Sequence, residues 1–273
     1  MRWIAFTKTS LNEAPPRRRA RLAQYRMTLQ ERTIGGQHAA LLPIVKTLEG
    51  ISNTSPILDL GCGTGAWLKR LYDAGFRELW GVDSDSEAFG AAEIGHFIAA
   101  DLDANDDLPQ LANFGLVTII EVIEHVANPQ KLVERAFRAL APGGWLLITS
   151  PNIYSLRTRV RFLLSAGVPF FERAAHSTPI ELDHIHPIVL EAYQRKIFTP
   201  LELSLVRVWT YPDCSSHGSR WFARLAARAM RLVLSDDLPG DSLCLLLRKP
   251  EQKANSATRV FKLRHPAPGP TIR

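Results

Sequence analysis

Residues 57–65 read ILDLGCGTG, and this stretch decides the fold of the chain. An apolar run carries the acidic Asp59 near its end, and glycines then follow at alternate positions, Gly61, Gly63 and Gly65. Glycine is required where the backbone takes a positive φ or must come close to a ligand. The pattern predicts a strand, a tight turn and a helix, with a nucleotide-type ligand against the first βα turn of an open α/β sheet.

The segments around this turn follow the order that a doubly wound sheet requires. Apolar and β-branched runs predict six further strands, at 78–83, 96–102, 114–120, 145–149, 206–209 and 242–248. Apolar periodicity and capping residues predict helices at 37–51, at 66–71, from Pro129 to the Pro-Gly-Gly at 142–144, at 156–164, and from a capping box at Thr199.

These elements predict an α/β fold. We expect a Rossmann-like, doubly wound, seven-stranded sheet that is mostly parallel, with an antiparallel seventh strand at or near the sheet edge. The residues between the fifth strand and the next helix, 151–200, form a helical insertion that we expect to cap the substrate.

An acidic residue ends the second predicted strand. Asp83 lies about 20 residues after the glycine turn, where a carboxylate can accept hydrogen bonds from ribose hydroxyls. Asp85 is a nearby alternative, and it is equally suited to be the N-cap of a helix that starts near Glu87.

Two motifs give the chain a resemblance to a known family. The alternate-glycine loop resembles the cofactor loop of class I S-adenosylmethionine (SAM) dependent methyltransferases. Glu121 with Glu124-His125, followed by Pro-Gly-Gly at 142–144, resembles a branch that includes the ubiquinone-biosynthesis O-methyltransferases. The resemblance covers roughly residues 36–210. It implies SAM as cofactor, bound by Asp59, Gly61, Gly63, Gly65, Asp83 (ribose), Asp101 and Leu102 (adenine), and Glu121.

Three histidines are candidates for a catalytic base. Methyl transfer is an in-line displacement, so the protein must position the acceptor and, for a hydroxyl, remove its proton. His125 follows the fourth predicted strand, and His184 and His186 lie in the insertion. An imidazole, with an ordinary pKa near 6.5, can act as a base at neutral pH. A structural role for His125, in which it holds a backbone group, stays open.

A metal site and a non-catalytic role are the alternatives. Glu121, Glu124, His125 and either His184 or His186 resemble the 2-Glu/2-His site of small-RNA 3′-terminal 2′-O-methyltransferases, where a metal lowers the pKa of the attacking hydroxyl. The residues after the Asp-His pair depart from that pattern. We therefore expect that none of these residues binds a metal ion. We also expect the enzyme to be active without added divalent ions. A SAM-binding regulatory subunit that transfers nothing is the non-enzymatic alternative.

The expected acceptor is a small or lipid-linked metabolite. The insertion contains apolar residues suited to a pocket wall, Phe162, Leu163, Phe170 and Phe171. Residues 219–234 predict a helix with arginines on one face, which suits a peripheral contact with an anionic membrane. The basic ends also suit nucleic acid, which we favour less.

Composition predicts one catalytic domain with basic ends. The chain has 273 residues and a formal net charge of +6, with basic runs near both ends. We predict a flexible basic extension over 1–35, a methyltransferase domain over 36–250 and a disordered basic tail over 251–273. No apolar run reaches the roughly 18 residues of a membrane span, and the first residues do not resemble a signal peptide. With cysteines that form no paired spacing, the expected location is cytoplasmic, with the membrane contact as an addition.

Overall fold

A computed structural model of the protein describes residues 29–104, 111–168, 170–171, 184–211, 238 and 240–251. The predicted 219–234 helix and most of the two basic ends lie outside these residues. The elements are α1 Gln37–Lys46, β1 Ile57–Leu60, α2 Ala66–Asp73, β2 Leu79–Asp83, β3 His96–Ala99, β4 Phe114–Ile120, α3 Pro129–Ala139, β5 Leu140–Pro151, α4 Leu156–Ser165, α5 Leu190–Tyr193 continued by the π-helical turn Gln194–Phe198, β6 Ser204–Tyr211 and β7 Ser242–Arg248.

The strands form a seven-stranded sheet in the order β3-β2-β1-β4-β5-β7-β6. Strands β1 to β5 pair in parallel, and β7 lies antiparallel between β5 and β6. The predicted doubly wound, mostly parallel sheet with an antiparallel seventh strand is confirmed, although β6 forms the edge. Because the strand order reverses between β1 and β4, the carboxyl ends of these strands open a ligand crevice at that point.

Apolar side chains cover both faces of the sheet, and β1 shows how they divide. Ile57 packs on the face that α1 and α2 cover, and Leu58 and Leu60 pack on the face that α3 covers. A strand that is buried on both faces reads as a continuous apolar run rather than an alternating one. The sequence pattern of the central strands follows from this burial.

Helix α3 begins where the sequence predicted. The side chain of Asn128 accepts a hydrogen bond from the backbone N–H of Lys131 at 3.0 Å, and Pro129 occupies the first helical position. The helix ends at Ala139 and β5 begins at once at Leu140, earlier than the predicted start at 145. The Pro-Gly-Gly therefore lies inside the irregular start of β5.

Helix α1 is shorter than predicted. It ends at Lys46 rather than continuing to residue 51, and the backbone N–H of Thr47 still bonds to the carbonyl groups of the last turn. The chain then passes through Gly50, which has a φ of 77° that a continuing helix cannot accommodate.

The prediction of a helix starting at Thr199 is wrong. Helical structure ends at Phe198, and residues 199–202 form a turn in which Glu202 has a positive φ of 55°. The backbone N–H of Leu203 bonds to the carbonyl of Phe198 at 2.9 Å. The Thr199-Pro200 pair fits a helix end as well as a helix start, because proline is common just after the last helical turn.

None of the helices in the described ranges is long and apolar enough to cross a bilayer.

Candidate functional site

The glycine loop lies at the carboxyl end of β1 and is bonded to β2. The backbone N–H groups of Gly61 and Cys62 both bond to the carbonyl of Val82, at 2.8 and 3.1 Å. Gly61 and Gly65 have φ values of 80° and 81°, and a Cβ atom at either position would collide with a neighbouring side chain. These two glycines are therefore required by backbone conformation and close packing.

Gly63 faces a different environment. Among the described atoms, a Cβ there would come within 4 Å of the Arg32 side chain alone, at 3.8 Å. Its backbone N–H donates to Oδ2 of Asp83 at 2.7 Å. The second glycine thus borders open space beside a carboxylate, which is the arrangement a ribose-bearing ligand needs.

Asp83 is oriented by two backbone donors. Besides Gly63, the N–H of Asp85 donates to its Oδ1 at 3.0 Å. The carboxylate is half-buried at the end of β2 and directly beside the loop. Asp85 accepts from the N–H of Ala88 at 3.0 Å and so caps a turn, not the helix near Glu87 that the sequence predicted.

Asp59 lies beneath the loop rather than at its surface. It is 3% exposed and accepts a hydrogen bond from the hydroxyl of Thr118 at 2.6 Å. Burial raises the pKa of Asp59 to about 7, the Thr118 hydrogen bond opposes this, and the negative charge of Asp83 adds to it. The predicted contact between Asp59 and the cofactor stays a prediction.

Asp101 and Leu102 follow β3, so they lie at the same carboxyl ends of the parallel strands as the glycine loop. Oδ1 of Asp101 accepts from the N–H of Asp103 at 2.8 Å, which shapes the loop. The carbonyl of Leu102 accepts from the guanidinium of Arg135 at 2.5 Å, so α3 holds this loop in place. Arg135 was not identified from the sequence, because nothing local links it to a loop before β4.

Glu121 directly follows β4 and has a strained backbone conformation with a φ of 53°. Its backbone N–H bonds to the carbonyl and to the hydroxyl of Thr149, both at 3.1 Å. Its Oε1 accepts from Nε2 of Gln37 at 2.9 Å and from the hydroxyl of Ser242 at 2.7 Å. Gln37 and Ser242 are fully buried, and they too were missed by sequence reasoning. Strain held in this way is common at functional sites.

A buried carboxylate and two histidines meet just after β4. The ligand atoms of Glu124, His125 and His184 all lie within 4.8 Å of one another. The rings of His125 and His184 are 4.6 Å apart between centroids. The backbone N–H groups of Ile185 and His186 both bond to the carbonyl of Glu124, at 2.8 and 3.1 Å. The structure thus brings His184 to the tip of β4, whereas the side chain of His186 does not join the group.

Glu124 is fully buried, and neither of its carboxylate oxygens has a hydrogen-bond partner among the described residues. Burial, followed by the negative charge of Glu121, raises the pKa of Glu124 well above its ordinary value, and contacts with its own backbone and with Ser150 act in the opposite direction. A carboxylate in such a position is protonated or paired with a cation, since an isolated buried charge is costly.

A cavity of about 230 Å³ lies in the insertion. Its lining is Ile153, Thr158, Arg159, Phe162, Val168 and Pro187. Of the four predicted wall residues, Phe162 lines the cavity and Phe171 lies 5.5 Å from the ring of His184. Leu163 and Phe170 do not line it and are 84% and 38% exposed, and their place in the wall of the acceptor pocket stays a prediction.

Residues 29–35, assigned by sequence to the basic extension, contact the glycine loop. The hydroxyl of Thr64 donates to the carbonyl of Gln30 at 3.0 Å. The guanidinium of Arg70 bonds to Glu31 at 2.6 Å. This segment therefore packs beside the candidate cofactor site.

A family model described as a methyltransferase domain matches residues 18–208, more than half of the chain. This chain belongs to that methyltransferase family. The glycine loop, the strand-end carboxylate Asp83 and the doubly wound sheet are in keeping with it. The chain therefore contains a methyltransferase domain over these residues.

Curated relatives align with part of the chain only. A ubiquinone biosynthesis O-methyltransferase from Paraburkholderia phymatum is 30% identical over 104 residues, which are 35% of this chain and 44% of that protein. A protein of the same name from Hydrogenovibrio crunogenus is 28% identical over 119 residues, 41% of this chain and 48% of that protein. The aligned part spans less than half the length of each relative.

Solved structures share the fold at low identity. A SAM-dependent methyltransferase from Archaeoglobus fulgidus matches with a TM-score of 0.54 and 19% identity, covering 78% of this chain and 92% of that one. The [4+2]-cyclase SpnF matches with a TM-score of 0.50 and 16% identity, covering 78% and 81%. Because this fold also occurs in a cyclase, the fold alone does not identify the methyl acceptor. The acceptor has to be inferred from the site.

Proposed function

We propose that this methyltransferase acts on a hydroxyl oxygen of a small or lipid-linked metabolite. The observation that carries the proposal is the placement of His125 and His184 side by side, with the ring of Phe171 from the insertion 5.5 Å from the ring of His184. Apolar walls with a few convergent polar groups are typical of small-molecule sites. The ubiquinone-biosynthesis relatives support an oxygen acceptor, over the part of the chain that they match.

We further propose which residues hold the cofactor. The glycine loop would face the methionine part of SAM, Asp83 would accept from the ribose hydroxyls, and the loop at Asp101-Leu102 would flank the adenine. SAM supplies an electrophilic methyl group when bound. The open space beside Gly63 and the oriented carboxylate of Asp83 fit such a ligand.

In this proposal the histidine pair removes the acceptor's proton. The imidazole of His184 or His125 takes the hydroxyl proton as the oxygen receives the methyl group. The imidazolium that forms would lie beside Glu124, and its positive charge would lower the pKa of that buried carboxyl group toward the ordinary value.

The test is transfer of a labelled methyl group from SAM to a cell extract, with the labelled product identified by fraction. We expect label in the small-molecule or lipid fraction. Label in RNA or protein would overturn the proposed acceptor class. Tight SAM binding with no labelled product in any fraction would instead favour the non-catalytic alternative.

The group of Glu124, His125 and His184 supports a second candidate, metal-assisted methylation of a ribose hydroxyl at an RNA end. Carboxylate and imidazole are ligands that many divalent ions accept. The fourth residue of that pattern, Glu121, already accepts two hydrogen bonds at Oε1 from Gln37 and Ser242. Among the described residues, the group whose ligand atoms lie within 4.8 Å of one another contains three of the four residues of that pattern, and we keep the metal-free reaction as the first candidate.

Dialysis against a chelator separates the two candidates. We expect the dialysed enzyme to keep its activity, because a histidine base needs no metal. Loss of activity that a divalent ion restores, together with transfer of label to RNA, would promote the metal-assisted candidate.

A further inference from the structure

Helix α4 projects apolar side chains into solvent. Of its described side chains Thr158 alone is buried, and every residue from Val160 to Ser165 is exposed. Leu163 is 84% exposed and Leu164 is 80% exposed. A leucine gains free energy by leaving water, so two adjacent leucines at this exposure indicate a surface that contacts another body.

The exposed apolar residues are concentrated in the insertion. In the described part of the chain the exposed large apolar residues are Val160, Phe162, Leu163, Leu164, Phe170, Ile185, Val189 and Val206. All except Val206 belong to the 151–200 insertion. Single exposed apolar residues are normal on proteins, whereas a cluster of this kind marks a contact surface.

Basic residues accompany the apolar ones on the same helix. The α4 sequence, LRTRVRFLLS, has arginines at 157, 159 and 161 and no acidic residue. Val160, Leu163 and Leu164 share one face by their i, i+3, i+4 spacing, and Arg157 and Arg161 are neighbours along one side of it. Arg157 also lies 3.8 Å from Asp241 and over the ring of Phe170, so part of its charge is compensated.

We propose that α4 is a docking surface for an anionic lipid bilayer. Val160, Leu163 and Leu164 enter the boundary between headgroups and acyl chains, and the arginines remain at the level of the lipid phosphates. The combination favours an anionic bilayer over a purely apolar protein groove, because such a groove offers nothing to the arginines beside the apolar face. The choice of a lipid-linked acceptor rests on the proposed function, but docking itself does not.

The position of α4 relative to the cavity connects docking with catalysis. Phe162 and Arg159 of the same helix line the cavity, and Phe171, which follows α4, contacts the ring of His184. A helix lying on the bilayer would therefore hold the cavity close to the membrane, where an acceptor with an apolar tail resides.

The experiment is sedimentation of the full-length protein with vesicles of phosphatidylcholine, with and without phosphatidylglycerol. We expect binding to the anionic vesicles, and a loss of about tenfold or more when Leu163→Glu and Leu164→Glu are combined. Val206→Glu, an exposed apolar residue outside the insertion, is the matched control and should leave binding unchanged. SAM affinity by calorimetry should be the same in all three proteins, which shows that they are folded.

Charge-reversal variants test whether the arginines contribute to the binding of anionic vesicles. Arg161→Glu should weaken binding to anionic vesicles by about fivefold or more, since one basic residue near a bilayer contributes about 1 kcal/mol. Arg138→Glu on α3 is the control and should have a smaller effect. In a separate measurement, brominated lipids should quench the fluorescence of the tryptophan introduced by Leu163→Trp. They should not quench that of the tryptophan introduced by Val206→Trp.

Several outcomes would overturn the proposal. The parent protein could fail to sediment with anionic vesicles, or the leucine variants could bind as well as the parent. A dimer in solution that the two glutamates dissociate would show that α4 contacts a second copy instead. None of these results bears on methyl transfer to an extract, so failure of docking and failure of the proposed function are distinguishable.

Discussion

The cofactor side of the sheet and the insertion after β5 use apolar residues in opposite ways. In β1 and β4 nearly every side chain is buried between helices. The carboxylates near the strand ends are held by backbone donors at Asp83 and by side-chain donors at Glu121. In α4 the apolar residues face solvent, and the two histidine-bearing segments meet through side chains and two backbone bonds to Glu124. We call β1, β2 and β4 with the glycine loop the cofactor platform. Most of its side chains are buried within the protein, whereas the apolar side chains of α4 are available to contact another body.

The largest effect on turnover is expected at His184, where the insertion contacts the segment that follows β4. His184→Ala should lower turnover about 100-fold or more, because a positioned general base contributes roughly 10²–10⁴ in rate. SAM affinity should be unchanged, since the histidine belongs to the insertion. Turnover is measured with labelled SAM, and affinity by calorimetry.

The matched control is His96→Ala. His96 lies on β3, away from the histidine pair, and its ring stacks on that of Trp80 with 4.1 Å between the centroids. The loss of this side chain should leave turnover near the parent value. If His184→Ala keeps full turnover, the base lies elsewhere, and His125→Ala becomes the deciding variant.

The second prediction sharpens the description of the cofactor platform. Asp83→Ala should weaken SAM binding by roughly tenfold to a hundredfold, because it removes charge-assisted hydrogen bonds worth about 1.5–3 kcal/mol. Asp85→Ala should have a smaller effect, since Asp85 caps a turn and is exposed. Equal affinities for the parent and Asp83→Ala in calorimetry would refute the ribose assignment.

The third prediction concerns the stability of the platform. The pKa of Asp59 is raised to about 7 in the folded state, so the folded state holds its proton more tightly than the unfolded state does. The contribution of Asp59 is therefore favourable at low pH and is lost as the pH rises from about 4 to about 7.

Asp59→Asn removes this titration and keeps an acceptor for Thr118. Relative to the parent, the variant should gain about 2–3 kcal/mol in the free energy of unfolding between pH 5 and pH 8. Urea unfolding at the two pH values measures it. Asp73→Asn, which alters an exposed pair with Lys69, serves as control. A pH-independent difference between parent and Asp59→Asn would contradict the assignment.

The smallest effect should distinguish residues within the insertion. Phe171→Ala should raise the KM for the acceptor by about tenfold or less, the range for losing apolar contacts in a pocket. Phe170→Ala should change it less, because Phe170 is exposed whereas Phe171 lies 5.5 Å from the ring of His184. Both variants should bind SAM as the parent does. A larger effect of Phe170→Ala would show that the acceptor lies on the outer surface instead.

Sequence reasoning succeeded where a feature is set by its neighbours along the chain. The alternate glycines, the acid at the end of β2, the Asn128-Pro129 helix start and the apolar strands all follow from local backbone requirements. It failed at Thr199-Pro200, because the same pair fits the start and the end of a helix. The burial of the neighbouring segment, with Phe198 fully buried, decided between the two.

The sequence by itself determined the doubly wound sheet, the position of the glycine loop and the chemistry available at the strand ends. Only the tertiary structure decided which of these groups meet. Gln37 and Ser242 are 205 residues apart, yet both bond to Glu121. His184 reaches His125 because the backbone after it bonds to the carbonyl of Glu124. Backbone conformation depends on adjacent residues, whereas contacts between distant segments depend on strand order and packing, which no local pattern encodes.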